Sequence, residues 1–431
     1  MVSHDSDRNS RRRFLKATGV GAIAASAGCV GLSGNSGNQG KPIVFGQPAA
    51  QTGKWDFLQP GITQATNMAV KEINKAGGPL DRELKIVRRD TSVNPQQART
   101  VVQQLIENDN AIAINGLFSS EIAPLFEFLK GLETPINTPW PGTNFLDTKG
   151  GDKMTPKKLS DDGWVWRTTI SDTVQTAGGA RHALDKGIKR VGVIHGNTAG
   201  ARTWAEGFMN HFKDGGGSVA KTVEVQEGKS SYQAGLSRLF DADFKAFVVS
   251  MGLEDATTLF RDWESGGYGR QPILSDVLAD PKLAKTIGSK FDGAWSATPV
   301  GQGPYFQGFK SKFNNAGNAE MNAWVPCAYD SVVSTALAIE RAGEASPKAI
   351  EKNLGPVTRK NGKTVSTFAD GQKALKNGEI TFQGAATRCN FTQYGNVFGS
   401  VGIMTAQADS FKQTDVIKAK TLRKFVDQDE Y

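Results

Sequence analysis

From Ile43 onward the chain alternates between two rhythms. Short runs rich in β-branched residues are followed by longer stretches in which apolar residues return at helical spacing. Strand, turn and helix repeat at roughly thirty residues per unit, the pattern of a parallel α/β sheet. Ile43 to Gly46 is the first predicted strand. A helix follows from about Gly61 to Ala76, with Ile62, Ala65, Ala69 and Ile73 on one face and Gly77-Gly78 as its stop. Leu84 to Asp90 is the second strand, and Asn94-Pro95 supply an N-cap and first-turn proline for a helix burying Ala98, Val101, Val102, Leu105 and Ile106. Ala111 to Asn115 and Ile136 to Thr138 are short buried strands, the first leading to Ser119-Ser120 and the second to the loop Trp140-Pro141-Gly142-Thr143.

After a polar insert from Asp147 to Asp162 a second series begins. Arg190 to His195 is a strand, Trp204 to Asp214 a helix, Ala246 to Met251 a strand, Glu254 to Gly266 a helix and Pro272 to Ser275 a strand end. Gly293 to Pro299 reads as a crossover towards the first series, and Pro304 to Ala316 and Trp324 to Ala342 as amphipathic helices. Two series of similar kind predict a two-lobed protein whose chain passes between lobes more than once.

The first forty residues stand apart. Arg11-Arg12-Arg13-Phe14-Leu15-Lys16 precedes small apolar residues from Ala17 to Ala27 and then Gly28-Cys29. Charged head, short apolar middle and small-residue end are the order of a twin-arginine export signal, and Cys29 is the expected lipidation site. The apolar stretch is too short to span a bilayer. The Gly-, Ser- and Asn-rich segment from Gly31 to Gly40 would act as a flexible tether. The expected location is outside the cytoplasm, at the cell surface or in the periplasm, anchored to the membrane by lipid.

About 390 residues then remain, too many for one ordinary core. The formal charge of +8 is carried by Lys and Arg scattered among Asp and Glu, with no basic block, which argues against nucleic acid as partner. Of the three cysteines, Cys327 and Cys389 remain once Cys29 is lipidated. An oxidising compartment permits a disulfide between them, and two separate buried thiols are the alternative. There is no CxxC and no Cys/His cluster, so neither a metal nor a cofactor is expected. His182, His195 and His211 are isolated, and no HExxH, GxSxG or Walker loop occurs, so no catalytic residue is assigned.

Several motifs occur in a collinear order. Thr52-Gly53, the helix end Val70-Lys71-Glu72-Ile73-Asn74-Lys75-Ala76-Gly77-Gly78, the strand end Asp90 and Asn94-Pro95-Gln96-Gln97-Ala98 come first. Asn115-Gly116 before Ser119-Ser120, Thr138-Pro139 with Thr143, Trp166-Arg167-Thr168, and Tyr329-Asp330 follow. Together they resemble the branched-chain amino-acid (leucine/isoleucine/valine) binding proteins, the extracytoplasmic receptors of ABC importers, over Ile43 to about Gly399. The resemblance implies a type I periplasmic binding protein fold: two doubly wound, Rossmann-like α/β lobes joined by three crossover strands, near Thr168-Thr169, Ala297-Thr298 and Val397-Gly399. Lobe I would hold 41–168 and 298–396, and lobe II 169–297 and 397–431, with a ligand between them.

Ser119 and Ser120 offer hydroxyls and amide groups at a helix start, suited to a carboxylate. Thr143 resembles the family residue that contacts the ligand backbone, and Asp276 the family's acidic partner for an ammonium. Trp55 and Trp140 sit on loops at strand ends, where they either pack over a ligand or cover lobe edges. Each has a plainer reading: Ser120 as an N-cap, Thr143 as a partner of its own loop, Asp276 as a cap for the helix near Asp280. The loop Asn197-Thr198-Ala199-Gly200 lacks the aromatic residue usual in the family, as does Gly252-Leu253, and Glu121 adds negative charge beside the proposed carboxylate site. Thr387-Arg388-Cys389-Asn390 looks more like relatives that take amides, urea or aromatic acids.

The expected function is therefore capture of a small polar molecule by hinge closure and its delivery to an ABC permease in the membrane. A tethered ligand-binding sensor for a signalling partner is the alternative. An exported α/β hydrolase is a third reading, and it would need a nucleophile and a base in reach of each other.

Overall fold

The computed structural model describes residues 40–149, 163–359 and 362–423. The twin arginines and Cys29 lie outside them. Strands β1 (Ile43–Ala49), β2 (Leu84–Asp90), β3 (Ala113–Ile114), β4 (Ile136–Thr138) and β5 (Val165–Arg167) form a parallel five-stranded sheet in the order β2-β1-β3-β4-β5. A seven-stranded sheet is built from β6 (Arg190–Gly196), β7 (Ser218–Val225), β8 (Ala246–Ser250), β9 (Gln271–Leu274), β10 (Trp295–Pro299), β13 (Val401–Gln407) and β14 (Ser410–Ile417). Its order is β14-β13-β10-β9-β8-β6-β7, parallel from β10 to β7 and antiparallel where β13 and β14 join. A parallel pair, β11 (Lys363–Val365) and β12 (Ile380–Phe382), stands apart. These are the two α/β lobes that the alternation of strand and helix predicts.

The first strands and helices follow the sequence closely. Helix Gln59–Lys75 buries Ile62, Ala65, Ala69 and Ile73, the four positions at helical spacing. Helix Pro95–Glu107 starts where Asn94 Oδ1 accepts the amide hydrogens of Gln96 and Gln97, at 2.9 and 3.1 Å. The chain leaves the five-stranded sheet after β5, and Ile170 pairs in parallel with Val397 as two connecting segments pass side by side.

Helix Val325–Ala342 is buried along nearly its whole length and packs on helix Gln59–Lys75 and on β4. Polar groups fix it there. Asn115 Nδ2 donates to Ser331 Oγ at 2.6 Å, and Asn137 Nδ2 approaches Ser331 O, Ser334 Oγ and Thr335 Oγ1 at 3.0–3.1 Å. The Asp330 carboxylate accepts the amides of Ala385 and Ala386, at 2.7 and 2.8 Å, and so holds the segment leading back towards Val397. Among the described residues no helix is long and apolar enough to cross a membrane.

Several elements went unread in the sequence, among them helices Gln233–Phe240 and Phe368–Leu375 and the pair β11–β12. Helix Asp172–Asp185 is built around Gly178 and Gly179, which pack against Val401 and Ala297, so its buried face carries a weak apolar signature. Helix Pro347–Thr358 and the hairpin β13–β14 lie beyond the region where the alternation is regular.

Candidate ligand-binding site

A cavity of about 310 Å³ lies between the two sheets, walled by loops that leave the carboxyl ends of parallel strands of both. This is where open α/β sheets receive ligands. From the five-stranded lobe come Lys54 and Trp55 after β1, Phe118, Ser119 and Ser120 after β3, and Trp140 and Gly142 after β4. From the seven-stranded lobe come Trp204 after β6, Glu227 after β7, Met251 at the end of β8, and Ser275 and Asp276 after β9. Asp172 after β5 and Trp324, which precedes the buried helix, complete the lining. A larger depression of about 470 Å³ around His182, Trp295 and Asp415 opens at the starts of β9 and β10, the opposite end of the second sheet.

One wall is aromatic. Phe118 stacks on Trp140 with ring centroids 4.3 Å apart and planes 21° apart. Trp55 continues the row on one side at 6.4 Å and Trp324 on the other at 6.2 Å. Trp204 supplies a ring from the second lobe, one turn beyond the Asn197–Gly200 loop that lacks one. Trp140 Nε1, Trp204 Nε1 and Ser275 Oγ are buried and have no hydrogen-bond partner among the described residues.

The loop carrying Trp140 is shaped from beneath by Arg167, whose side chain is wholly buried. Its Nη1 donates to the carbonyls of Pro141, Gly142 and Thr143 at 2.9–3.1 Å, and its Nη2 pairs with Asp147. Asp147 also accepts from Thr173 Oγ1 at 2.6 Å. One cation thus fixes both the loop and the start of helix Asp172–Asp185, the helix that presents Asp172.

Phe118, not Ser120, is the N-cap residue of helix Ser119–Gly131, and its side chain caps no amide. The Glu121 carboxyl turns back to accept the Phe118 N–H at 2.7 Å. Glu121 therefore does not project its charge towards the serines, contrary to the expectation from sequence. Burial raises its pKa to about 7, against the lowering effect of hydrogen bonds from Thr91 and Phe118. The uncapped start of this helix leaves Ser119 and Ser120 at the positive end of the helix dipole. Leu117, just before it, holds a positive φ of 79°, a local strain that turns the chain out of β3 into the cavity wall.

The acidic side of the cavity belongs to Asp172 and Asp276. Burial raises the pKa of both, that of Asp276 to about 6 against hydrogen bonds from Val277 and Gln175. The field of Asp276 raises Asp172 further. Gln175 Nε2 donates to Asp172 Oδ1 at 3.2 Å. Asp276 begins its own 3-10 turn by accepting the Val277 N–H at 2.9 Å, and it is Asp280 that caps the helix Pro281–Ile287.

At the mouth, Lys54 reaches across to Asp255 at 3.2 Å and Glu227 at 3.8 Å. Asp255 is held by the Gly228 N–H at 2.6 Å and the Tyr232 hydroxyl, and Glu227 by Thr198 Oγ1 at 3.2 Å.

Of the six residues singled out in the sequence, Trp55, Ser119, Ser120, Trp140 and Asp276 line this cavity, and Thr143 does not. Thr143 Oγ1 accepts the Phe145 N–H and its own N–H donates to Ser119 Oγ, both at 3.3 Å, so it serves its loop. Phe118, Asp172, Trp204 and Trp324 were missed. Trp204 and Trp324 follow the apolar period of their helices and so read as core, while Asp172 reads as a helix start. Cys327 and Cys389 are both buried and stand as free thiols in the structure. His195 lies at the end of β6 with Nδ1 2.8 Å from the Gly196 carbonyl, a structural contact.

Comparison with known proteins agrees with this architecture. The model of the periplasmic binding protein family matches residues 42–392. A leucine-, isoleucine-, valine-, threonine- and alanine-binding protein of Pseudomonas aeruginosa is 23% identical over 321 residues, 71% of this chain and 79% of that protein. Among solved structures, the branched-chain amino acid transporter substrate-binding protein LivJ from Streptococcus pneumoniae, in complex with isoleucine, superposes with a TM-score of 0.70 at 18% identity, covering 88% of this chain and all of that one. A solute-binding protein of an ABC transporter from R. palustris in complex with benzoate gives a TM-score of 0.68 at 14% identity, covering 88% and 97%. With its two lobes, interlobe cavity and matched length, the chain belongs to the periplasmic binding protein family and has the type I fold.

Proposed function

We propose that the protein is the extracytoplasmic receptor of an ABC importer, closing its lobes around an amino acid or related small polar molecule and presenting it to a membrane permease. The observation that carries this reading is the cavity's dual ownership: Ser119 and Ser120 come from one sheet's loops and Asp276 from the other's, so neither lobe makes the site alone. Ser119 and Ser120 receive a carboxylate with hydroxyls and amides, Asp276 receives an ammonium, and Trp55 and Trp140 cover the apolar part. Thr143 acts one step back, through its hydrogen bond to Ser119. The relatives' ligands, aliphatic amino acids and benzoate, support a solute of this size.

In this reading the chain makes and breaks no bond. Lobe I is 41–168 with 298–396, and lobe II is 169–297 with 397–431. Arg11 to Gly28 direct export, and Cys29 carries the lipid that tethers the receptor. The test is native mass spectrometry of the protein with pooled amino acids, amides and aromatic acids, followed by small-angle scattering with each hit. One solute bound per chain together with compaction is expected. Absence of any bound solute, or binding without compaction, would overturn the proposal.

A further inference from the structure

Charge accounting in the cavity is one-sided. Its lining holds one cation, Lys54, and three acids, Asp172, Glu227 and Asp276. Lys54 is already engaged by Glu227 and by Asp255 behind the wall. The next cation, Arg167, is committed to Asp147 and to three carbonyls of its own loop. Asp172 and Asp276 therefore have neutral hydrogen-bond donors, Gln175 for both and the Val277 N–H for Asp276, with the Arg167 charge acting on Asp172 from a distance and no ion pair to either among the described residues. Two buried carboxyls in one field cannot both ionise freely. A third negative group would meet repulsion of several kcal/mol.

The opposite wall supplies what a cation needs besides a counter-charge. Trp55, Phe118, Trp140 and Trp324 form a continuous row, and Trp204 stands on the other lobe. Ring faces attract an ammonium and stack on flat apolar bodies. Trp140 and Trp204 are 5% and 3% exposed, and their Nε1 atoms have essentially no accessible surface, so what they offer the cavity is ring.

We infer that the cavity selects a ligand with an ammonium group on a flat aromatic body, the ammonium held between Asp172 and Asp276, and that it discriminates against aromatic acids lacking the amine. The inference rests on the solute-capture reading above and narrows its ligand. Asp172 is the specificity-determining residue, because it makes a single acidic position into a pair. The seat of that pair is tight: a Cβ at Gly142 would lie 1.9 Å from Asp172 Oδ1.

The test is isothermal titration of the purified protein at pH 7.5 with 2-phenylethylamine, phenylalanine, 3-phenylpropionate and leucine. At least one of the two aromatic ammonium compounds should bind, and both 3-phenylpropionate and leucine should bind at least about tenfold more weakly than it does. Asp172→Asn should weaken that binding at least about tenfold, with a melting temperature within about 2 °C of wild type. Asp276→Asn serves as the second variant if Asp172→Asn does not fold. The inference is overturned if 3-phenylpropionate or leucine comes within tenfold, if neither aromatic ammonium compound binds, or if the folded Asp variants bind like wild type. Any such result beside another solute that compacts the protein leaves the receptor reading standing. If no solute compacts it, both fall.

Discussion

Lys54 Nζ stands 3.2 Å from Asp255 Oδ2, an ion pair that runs from the loop after β1 in one lobe to the helix Leu253–Ser265 in the other. Asp255 keeps its pKa below the ordinary carboxylate value although burial pushes it up, because the Tyr232 hydroxyl, the Gly228 N–H and Lys54 outweigh burial. The anion is thus prepared by its own lobe, and the cation arrives from the other.

Lys54→Met should bias the protein towards an open form. The lysine is half exposed, so the loss is modest, at most about fivefold in affinity for any captured solute. Scattering of the ligand-free protein should give a larger radius of gyration for the variant at low salt, and the two proteins should converge at high salt. Identical radii at low salt would mean that the pair does not hold the lobes together.

Arg167→Met should be among the most damaging single substitutions. It leaves the buried Asp147 with the Thr173 hydroxyl as its side-chain donor among the described residues, and it removes one donor from each of three carbonyls, of which Gly142 and Thr143 keep the N–H groups of Asp172 and Leu146. A loss of about 3–5 kcal/mol is expected, read as a lower urea midpoint at unchanged slope.

Glu121→Gln should stabilise the protein above neutrality. The folded state raises this carboxyl from 4.5 to about 7, so it binds more protons than the unfolded chain between those values. Stability therefore falls as pH rises through that window and levels off above it. Glutamine keeps an acceptor for the Phe118 N–H and removes the charge. Urea melts should coincide below pH 4 and separate by up to about 3 kcal/mol at pH 8 in favour of the variant.

Ser120→Ala and Thr143→Val should separate contact from support. Ser120 is exposed on the cavity wall, so its loss should weaken binding of a carboxylate-bearing solute about three- to tenfold with the melting temperature nearly unchanged. Thr143→Val should lower the melting temperature by a few degrees, because the Phe145 N–H loses its acceptor, and should change affinity less. The reverse order of effects on affinity would return Thr143 to the site.

Cys327 and Cys389 should titrate as two thiols in guanidinium without reductant, in a protein with Cys29 replaced by Ser, and should resist the same reagent when folded. Burial raises both thiols far above their ordinary pKa, and Cys389 also feels Asp330 and Cys327. Fewer than two thiols on denaturation would mean that they pair.

The fold was legible wherever local period and packing agree. Ile62, Ala65, Ala69 and Ile73 mark a helix because all four are buried at helical spacing, and that helix packs on the helix Val325–Ala342. Helix Asp172–Asp185 escaped notice because Gly178 and Gly179 give it closeness in place of apolar bulk. In the candidate site, the lining residues legible in the sequence were Ser119, Ser120, Trp55, Trp140 and Asp276, which follow closely on strand ends. Trp204 and Trp324 were hidden because a ring that walls a cavity obeys the same helical period as one that fills a core. Arg167 was visible as part of a motif, but its grip on the Trp140 loop depends on Asp147, twenty residues away, and no local pattern records that pairing.

The hairpin β13–β14 closes one border of the seven-stranded sheet with an antiparallel strand whose exposed run is Lys412-Gln413-Thr414-Asp415. A bare parallel border would offer its amide and carbonyl row to any neighbour of the same kind. Here that row is fringed with charged and polar groups of both signs. Crowded copies are thereby kept from zipping into a shared sheet.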